Sequence, residues 1–232
     1  MSADHRVTAA GRRLIVVAND RESENRTPER PLIVLPAAAR DSFAAIPPVP
    51  AMRPGEDDLT RIGPGRNRAA GMAITISGRV LDSDLRPVRR TLIEVWNANT
   101  HGRYAHADDE GRSPSPLDPY FHGFGRLVTD NDGRFRVRTI KPGGYVARAD
   151  IDWKRPPHVH FSVVGGGTRL VTQMYFPEEP LNLKDHIYLA IPESLRSRAV
   201  GKTIATANDA EPAFSFDMVV RGRYQTPLDD DD

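Results

Sequence analysis

The sequence contains no cysteine. Disulfides, iron–sulfur clusters and thiolate zinc sites are therefore excluded within this chain. It also lacks an excess of either charge: 32 basic residues against 31 acidic ones leave a formal net charge of +1. That balance gives no electrostatic reason to expect nucleic acid or an anionic membrane as partner. No apolar run approaches the roughly 20 residues of a membrane-spanning helix. Near the start, Leu14-Ile15-Val16-Val17-Ala18 is too short for the apolar core of a signal peptide. The expectation is a cytoplasmic protein. Helical periodicity is scarce as well. Pro192 to Val200 alone reads as a helix of any length, with Pro early and Glu193 in the first turn.

What is present is a succession of short strands. Ala73 to Leu81, Thr91 to Trp96, Arg134 to Ile140, His158 to Val164, Thr168 to Phe176 and Phe214 to Arg221 each read as one. Turn clusters separate them, notably Asp82-Ser83-Asp84, Asp130-Asn131-Asp132-Gly133, Lys141-Pro142-Gly143-Gly144 and Gly165-Gly166-Gly167. This spacing predicts an all-β fold, an antiparallel sandwich or barrel. Residues 1–70 are Pro-rich and irregular, with isolated apolar patches at Leu32 to Leu35 and Phe43 to Ile46. They read as an arm that contacts another subunit. Residues 71–225 form the main domain, and 226–232 an acidic tail whose aspartates, Asp229 to Asp232, are expected to fray.

Chemistry concentrates between Tyr145 and His160. His158 and His160 open a predicted strand at i and i+2, so both imidazoles point to one face. Converging imidazoles suit a metal, although an isolated His-x-His more often faces solvent or serves as a core hydrogen-bond partner. A facial-triad iron site needs a carboxylate beside two histidines, and the usual His-x-Asp/Glu spacing is absent here because position 160 is His. Two tyrosines lie in predicted turns, Tyr104 after His101-Gly102-Arg103 and Tyr145 after Pro142-Gly143-Gly144. Each, taken singly, reads most plainly as a hydrogen-bonded rim residue. Together, two phenolates and two imidazoles would be a hard anionic set suited to Fe(III), because a trivalent ion stabilises a phenolate otherwise protonated at neutral pH.

The stretch Trp96-Asn97-Ala98-Asn99-Thr100-His101-Gly102-Arg103-Tyr104 resembles the segment that bears the first tyrosinate of intradiol ring-cleaving dioxygenases. Pro116-Leu117-Asp118-Pro119, Gly125-Arg126, Thr129 to Gly133 and Thr139 to Gly143 continue the resemblance. Trp153-Lys154-Arg155-Pro156-Pro157-His158-Val159-His160-Phe161 is similar to the segment with both histidine ligands, and Gln173-Met174-Tyr175-Phe176 extends it. The resemblance covers about residues 55–225 and is nearest the iron-bearing β chains of members that cleave protocatechuate.

The resemblance implies a β-sandwich with non-haem Fe(III) held by Tyr104, Tyr145, His158 and His160. It implies a catechol-type substrate and O2, and a cis,cis-muconate product such as 3-carboxymuconate. Tyr145 would be the axial ligand that leaves the metal and acts as a base. Arg155, rather than Lys154, would stabilise the negative charge of the reacting ring. Trp96, Ala147, Gln173 and Ile187 would line the substrate pocket, with Gln173 supporting Arg155 or a histidine. The family further implies an α-like partner chain in a hetero-oligomer, with a homo-oligomer as the other assembly. One departure concerns the substrate. Protocatechuate-cleaving β chains commonly read Pro-Gly-Pro-Tyr-Pro-Trp around the axial tyrosine, where this chain reads Pro142-Gly143-Gly144-Tyr145-Val146-Ala147. A small residue for Trp predicts a wider pocket and leaves open a differently substituted catechol, such as a sulfocatechol or hydroxyquinol. Two readings of other classes also stand. Ser77 to Asp82 with Arg86-Pro87-Val88 is similar to non-catalytic prealbumin-like binding sandwiches, and His158 with His160 would serve a zinc hydrolase if a third His, Asp or Glu joined them.

Overall fold

The computed structural model describes residues 4–7, 13–16, 51–63, 65, 67–106, 114–165, 167–207 and 211–229. Two sheets face each other. The first has the order β10 (Thr168–Tyr175), β9 (His158–Gly165), β4 (Leu92–Trp96), β5 (Phe124–Val128), antiparallel throughout. The second is built on β3 (Ala73–Leu81). It pairs antiparallel with β6 (Arg134–Ile140) on one edge. On the other it pairs in parallel with β12 (Ala213–Ser215) and β13 (Met218–Val219), and β11 (Lys202–Ile204) extends β12. Alternation dictates the core. Ile74, Ile76 and Val80 of β3 and Val137 of β6 meet Ile93 and Val95 of β4, Val159, Phe161 and Val163 of β9, and Leu170 and Met174 of β10. All of these are essentially inaccessible to solvent.

The predicted all-β sandwich is therefore the observed fold, with several local corrections. The expected helix Pro192 to Val200 is one turn, Glu193–Arg196. Ala199 O and Gly201 N bond the backbone of Tyr175 at 2.8 and 2.9 Å, so pairing with the end of β10 wins over helix propagation. A second short helix, His186–Ala190, follows a 3-10 segment at Pro180–Lys184. The expected strand Phe214 to Arg221 splits in two, because Asp217 Oδ1 takes the backbone N–H of Arg79 at 2.8 Å and interrupts the ladder.

Some residues ahead of 71 also join the described structure. Asp4–Val7 (β1) pairs with Arg13–Val16 (β2), so that stretch is not irregular. Leu59 is fully buried in the sandwich core of its own chain, and its N–H donates to Arg138 O at 2.8 Å. The patches at Leu32 to Leu35 and Phe43 to Ile46 lie outside the described residues. The acidic tail is not frayed at Asp229. Thr226 and Asp229 are buried, and Asp229 N–H donates to Val171 O at 2.8 Å. No described helix is long and apolar enough to cross a membrane.

Candidate metal centre

Strand β9 separates core from chemistry. Its Val159, Phe161 and Val163 enter the sandwich, while His158, His160 and Ser162 take the opposite face. That face is also covered, since His158 and His160 are 2% and 7% exposed. Register then places their neighbours. Trp96 on β4 and Gln173 on β10 both sit opposite His160, and Tyr175 sits opposite His158. Directly opposed residues share a face. Trp96 accordingly stacks on the His160 ring, with centroids 4.9 Å apart and planes within 4°.

The tyrosines arrive from two turns that interlock. Asn99 is buried, and its Oδ1 accepts from the N–H of His101 and of Arg103 at 2.9 and 3.1 Å, shaping the turn that ends in Tyr104. Gly102 occupies that turn at φ +77°, and a Cβ there would strike Gly144 O. Gly143 N–H donates to Asn99 O at 3.0 Å, which ties the second turn to the first. Tyr145 opens the short strand β7 (Tyr145–Arg148), paired with β8 (Trp153–Arg155). It thus lies within a hairpin, opposite Arg155, rather than in the free turn expected. Its ring meets that of Tyr104 edge-on at 5.7 Å, and the two side chains are hydrogen-bonded.

Three donor atoms converge. Tyr104 Oη lies 3.1 Å from His158 Nε2 and 3.0 Å from His160 Nε2, and the two Nε2 atoms are 3.1 Å apart. The other ring nitrogens are committed. His158 Nδ1 is 2.7 Å from Pro156 O, and His160 Nδ1 is 2.7 Å from Asp229 Oδ2. Carbonyl and carboxylate oxygens only accept here, so each Nδ1 carries a proton and each ring turns its Nε2 to the common point. Burial, together with the Arg155 charge, holds His158 well below its ordinary pKa, which keeps that ring neutral. The Tyr104 ring is half-buried with its hydroxyl end enclosed, and burial, with Tyr145 beside it, pushes the phenol well above its ordinary pKa. The single Tyr104 hydroxyl proton cannot serve both imidazoles. A cation at this point satisfies all three atoms, whose mutual spacing is that of adjacent ligands with bonds of about 2.0–2.2 Å. Tyr145 stands beside them, its ring 5.9 Å from that of His158. Among the described residues no third His, Asp or Glu joins His158 and His160 as the further metal ligand that a zinc hydrolase would require.

Behind the donors lies a polar network. Arg155 is 2% exposed, and its Nε pairs with the fully buried Asp185 at 3.1 Å. Its Nη2 donates to Gln173 Oε1 and approaches Tyr175 Oη at 3.4 Å. Asp185 also accepts from Trp153 Nε1 at 3.0 Å and Tyr175 Oη at 3.1 Å, and it caps the helix His186–Ala190 through Tyr188 N–H at 3.3 Å. Ile187, on that helix, shares a small cavity with Gln173, Tyr175 and Asp229. Ala147 falls at the bulge of β7, half-buried, two residues beyond Tyr145. Asp185, Asp229 and Tyr175 were not singled out in sequence. Asp185 carried a signal, as a capping residue ahead of His-Ile-Tyr-Leu-Ala. Asp229 carried none that separates it from the three aspartates after it.

A sandwich that gathers two imidazoles and two phenols beside a buried guanidinium matches a known family. Residues 48–222 fit the dioxygenase family model Dioxygenase_C. The chain belongs to the intradiol ring-cleaving dioxygenases, which sets aside the non-catalytic binding sandwich. It is 42% identical over 213 residues to the protocatechuate 3,4-dioxygenase beta chain of Burkholderia cepacia, covering 90% of each chain. It is 29% identical over 163 residues to the alpha chain of the Pseudomonas putida enzyme, covering 68% of this chain and 76% of that one. Among solved structures, catechol 1,2-dioxygenase from Acinetobacter sp. ADP1 matches with a TM-score of 0.52 and 26% identity, over 70% of this chain and 56% of that one.

Proposed function

We propose that this dioxygenase holds non-haem Fe(III) through Tyr104, Tyr145, His158 and His160 and cleaves protocatechuate between its hydroxyl-bearing carbons, giving 3-carboxy-cis,cis-muconate. The observation that carries the metal reading is the triangle of Tyr104 Oη and the two Nε2 atoms, 3.0–3.1 Å on each side. The donor chemistry favours a hard trivalent ion, because two phenolates and a hydroxide neutralise three positive charges. When bound, Fe(III) supplies the Lewis acidity that ionises the catechol and makes its ring an electron donor toward O2.

The chain's own residues do the rest. Tyr145, at the start of a four-residue strand, takes a substrate proton on its phenolic oxygen. Arg155 presents a permanent cation to negative charge developing on the ring, held rigidly by Asp185 and Gln173. Trp96 holds the His160 plane by stacking. Ile187 and Ala147 bound the space left for the ring substituent. An α-like chain completes the assembly as a hetero-oligomer, a reading supported by the likeness to a beta chain.

The test is the protein co-expressed with an α-like neighbour. The expected result is burgundy protein with about one iron per chain, taking up one O2 per protocatechuate. Colourless, iron-free protein without oxygen uptake refutes the proposal.

A second substrate reading is favoured by Ala147 at the β7 bulge. A methyl in place of an indole leaves a void on the scale of an aromatic ring unless neighbours refill it. Sulfocatechol or hydroxyquinol would then be used as well as protocatechuate. A preference for protocatechuate of at least tenfold in kcat/KM (about 1.4 kcal/mol) that Ala147→Trp leaves unchanged rules this out.

A further inference from the structure

We propose that Asp229 is a positioning residue of the metal centre. Its carboxylate fixes His160 in the tautomer that offers Nε2 to the ion and ties that ring, through Gln173, to Arg155. The inference rests on the metal reading above.

The geometry is a continuous chain. His160 Nδ1–H donates to Asp229 Oδ2 at 2.7 Å, Gln173 Nε2–H donates to Asp229 Oδ1, and Arg155 Nη2–H donates to Gln173 Oε1. The Gln173 amide has one consistent orientation, because the guanidinium only donates and the carboxylate only accepts. Asp229, Gln173 and Arg155 are 7%, 3% and 2% exposed, so these bonds act without competition from water. The backbone holds the carboxylate in place. Thr226 N–H bonds Val219 O at 3.0 Å, Thr172 Oγ1 donates to Pro227 O at 2.6 Å, and Asp229 N–H donates to Val171 O.

The two imidazoles are consequently unequal. His158 donates to a neutral carbonyl, Pro156 O, whereas His160 donates to a carboxylate. A carboxylate on Nδ1–H enriches the ring and strengthens Nε2 as a ligand. Residues distant in sequence thereby set the donor strength of one ligand and couple it to the cation beside the substrate.

The experiment uses the full chain and Asp229→Asn. The Asn oxygen still accepts from His160, but the charge is lost and its amide meets the Gln173 amide donor to donor. Iron affinity, measured by chelator competition, is expected to fall about 10- to 100-fold. The phenolate-to-iron absorption band is expected to shift. A merely structural role would lower the melting temperature while leaving affinity and band position unchanged, and that result overturns the inference. If the variant does not fold, gallium(III)-loaded wild-type protein with 15N-labelled histidine decides. His160 is expected to carry a strongly hydrogen-bonded Nδ1 proton, further downfield than that of His158; a bare His160 Nδ1 overturns the inference. Wild-type protein that binds no iron overturns the metal reading and this inference with it. Iron-loaded wild type beside an unaltered Asp229→Asn variant overturns this inference alone.

Discussion

Replacing Arg155 with Met separates two contributions that sit on one side chain. Its guanidinium is 2% exposed, and its partner Asp185 is fully buried. Breaking a buried ion pair by removing one member costs about 3–5 kcal/mol, because a charge is left uncompensated. Asp185 keeps three other donors, Trp153 Nε1, Tyr175 Oη and Tyr188 N–H. The loss therefore falls at the lower end, about 3 kcal/mol. For a chain of this size that is about 6–12 °C in Tm. Turnover drops as well, by about 10²-fold, the effect of deleting one preorganised stabilising group. The double variant Arg155→Met, Asp185→Asn removes the orphaned charge. Thermal melting of the iron-loaded proteins is expected to recover only part of the lost stability, because the amide introduced at position 185 sets an N–H against one of the donors that both Asp185 oxygens accepted, while steady-state oxygen uptake stays depressed. If turnover returns together with stability, Arg155 is a packing residue and its assigned role in the reaction is wrong. A single variant with wild-type Tm would instead show that the Arg155–Asp185 pair contributes little to the fold.

Tyr104→Phe removes one corner of the donor triangle; iron content is expected to fall sharply, or the charge-transfer band to shift, and full iron with unchanged colour and rate would remove Tyr104 from the ligand set. Gly102→Ala forces a side chain into φ +77° and against Gly144 O, costing about 1–3 kcal/mol and displacing Tyr104; lower Tm with lower iron occupancy is expected, and an unchanged pair of values refutes the interlocked-turn account. The chain expressed without an α-like partner is expected to show reduced activity, and a fully active monomer in sedimentation and oxygen-uptake assays would dismiss the hetero-oligomer.

The long strands were legible because alternation is a local signal. Arg134-Phe135-Arg136-Val137 buries every second residue, and β6 appears with the bounds expected from the sequence. His158 and His160 were legible as a pair for the same reason. Elements governed by distant contacts were not. The one-turn helix at Glu193–Arg196 ends where β10 claims the following backbone, and no local pattern announces that competition. The β7–β8 hairpin is short and bulged, and its turn passes through Asp152 at φ +50°, so it lacks a clean period. The residues behind the proposed metal donors were the least legible. Burial of Asp185 and Asp229 is decided by packing against β8 and β10, and a carboxylate in sequence reads first as solvated surface.

The alternation along β9 has an evolutionary consequence. The side chains that hold the sandwich together and those proposed to hold the ion belong to different faces of one strand. Substitutions at His158 and His160 change none of the side chains interlocked between the sheets. A duplicated copy of the gene is therefore free to discard its chemistry while keeping its shape. Such a copy would still present the surfaces by which the fold associates. An inert subunit beside an active one is a short mutational step for this architecture.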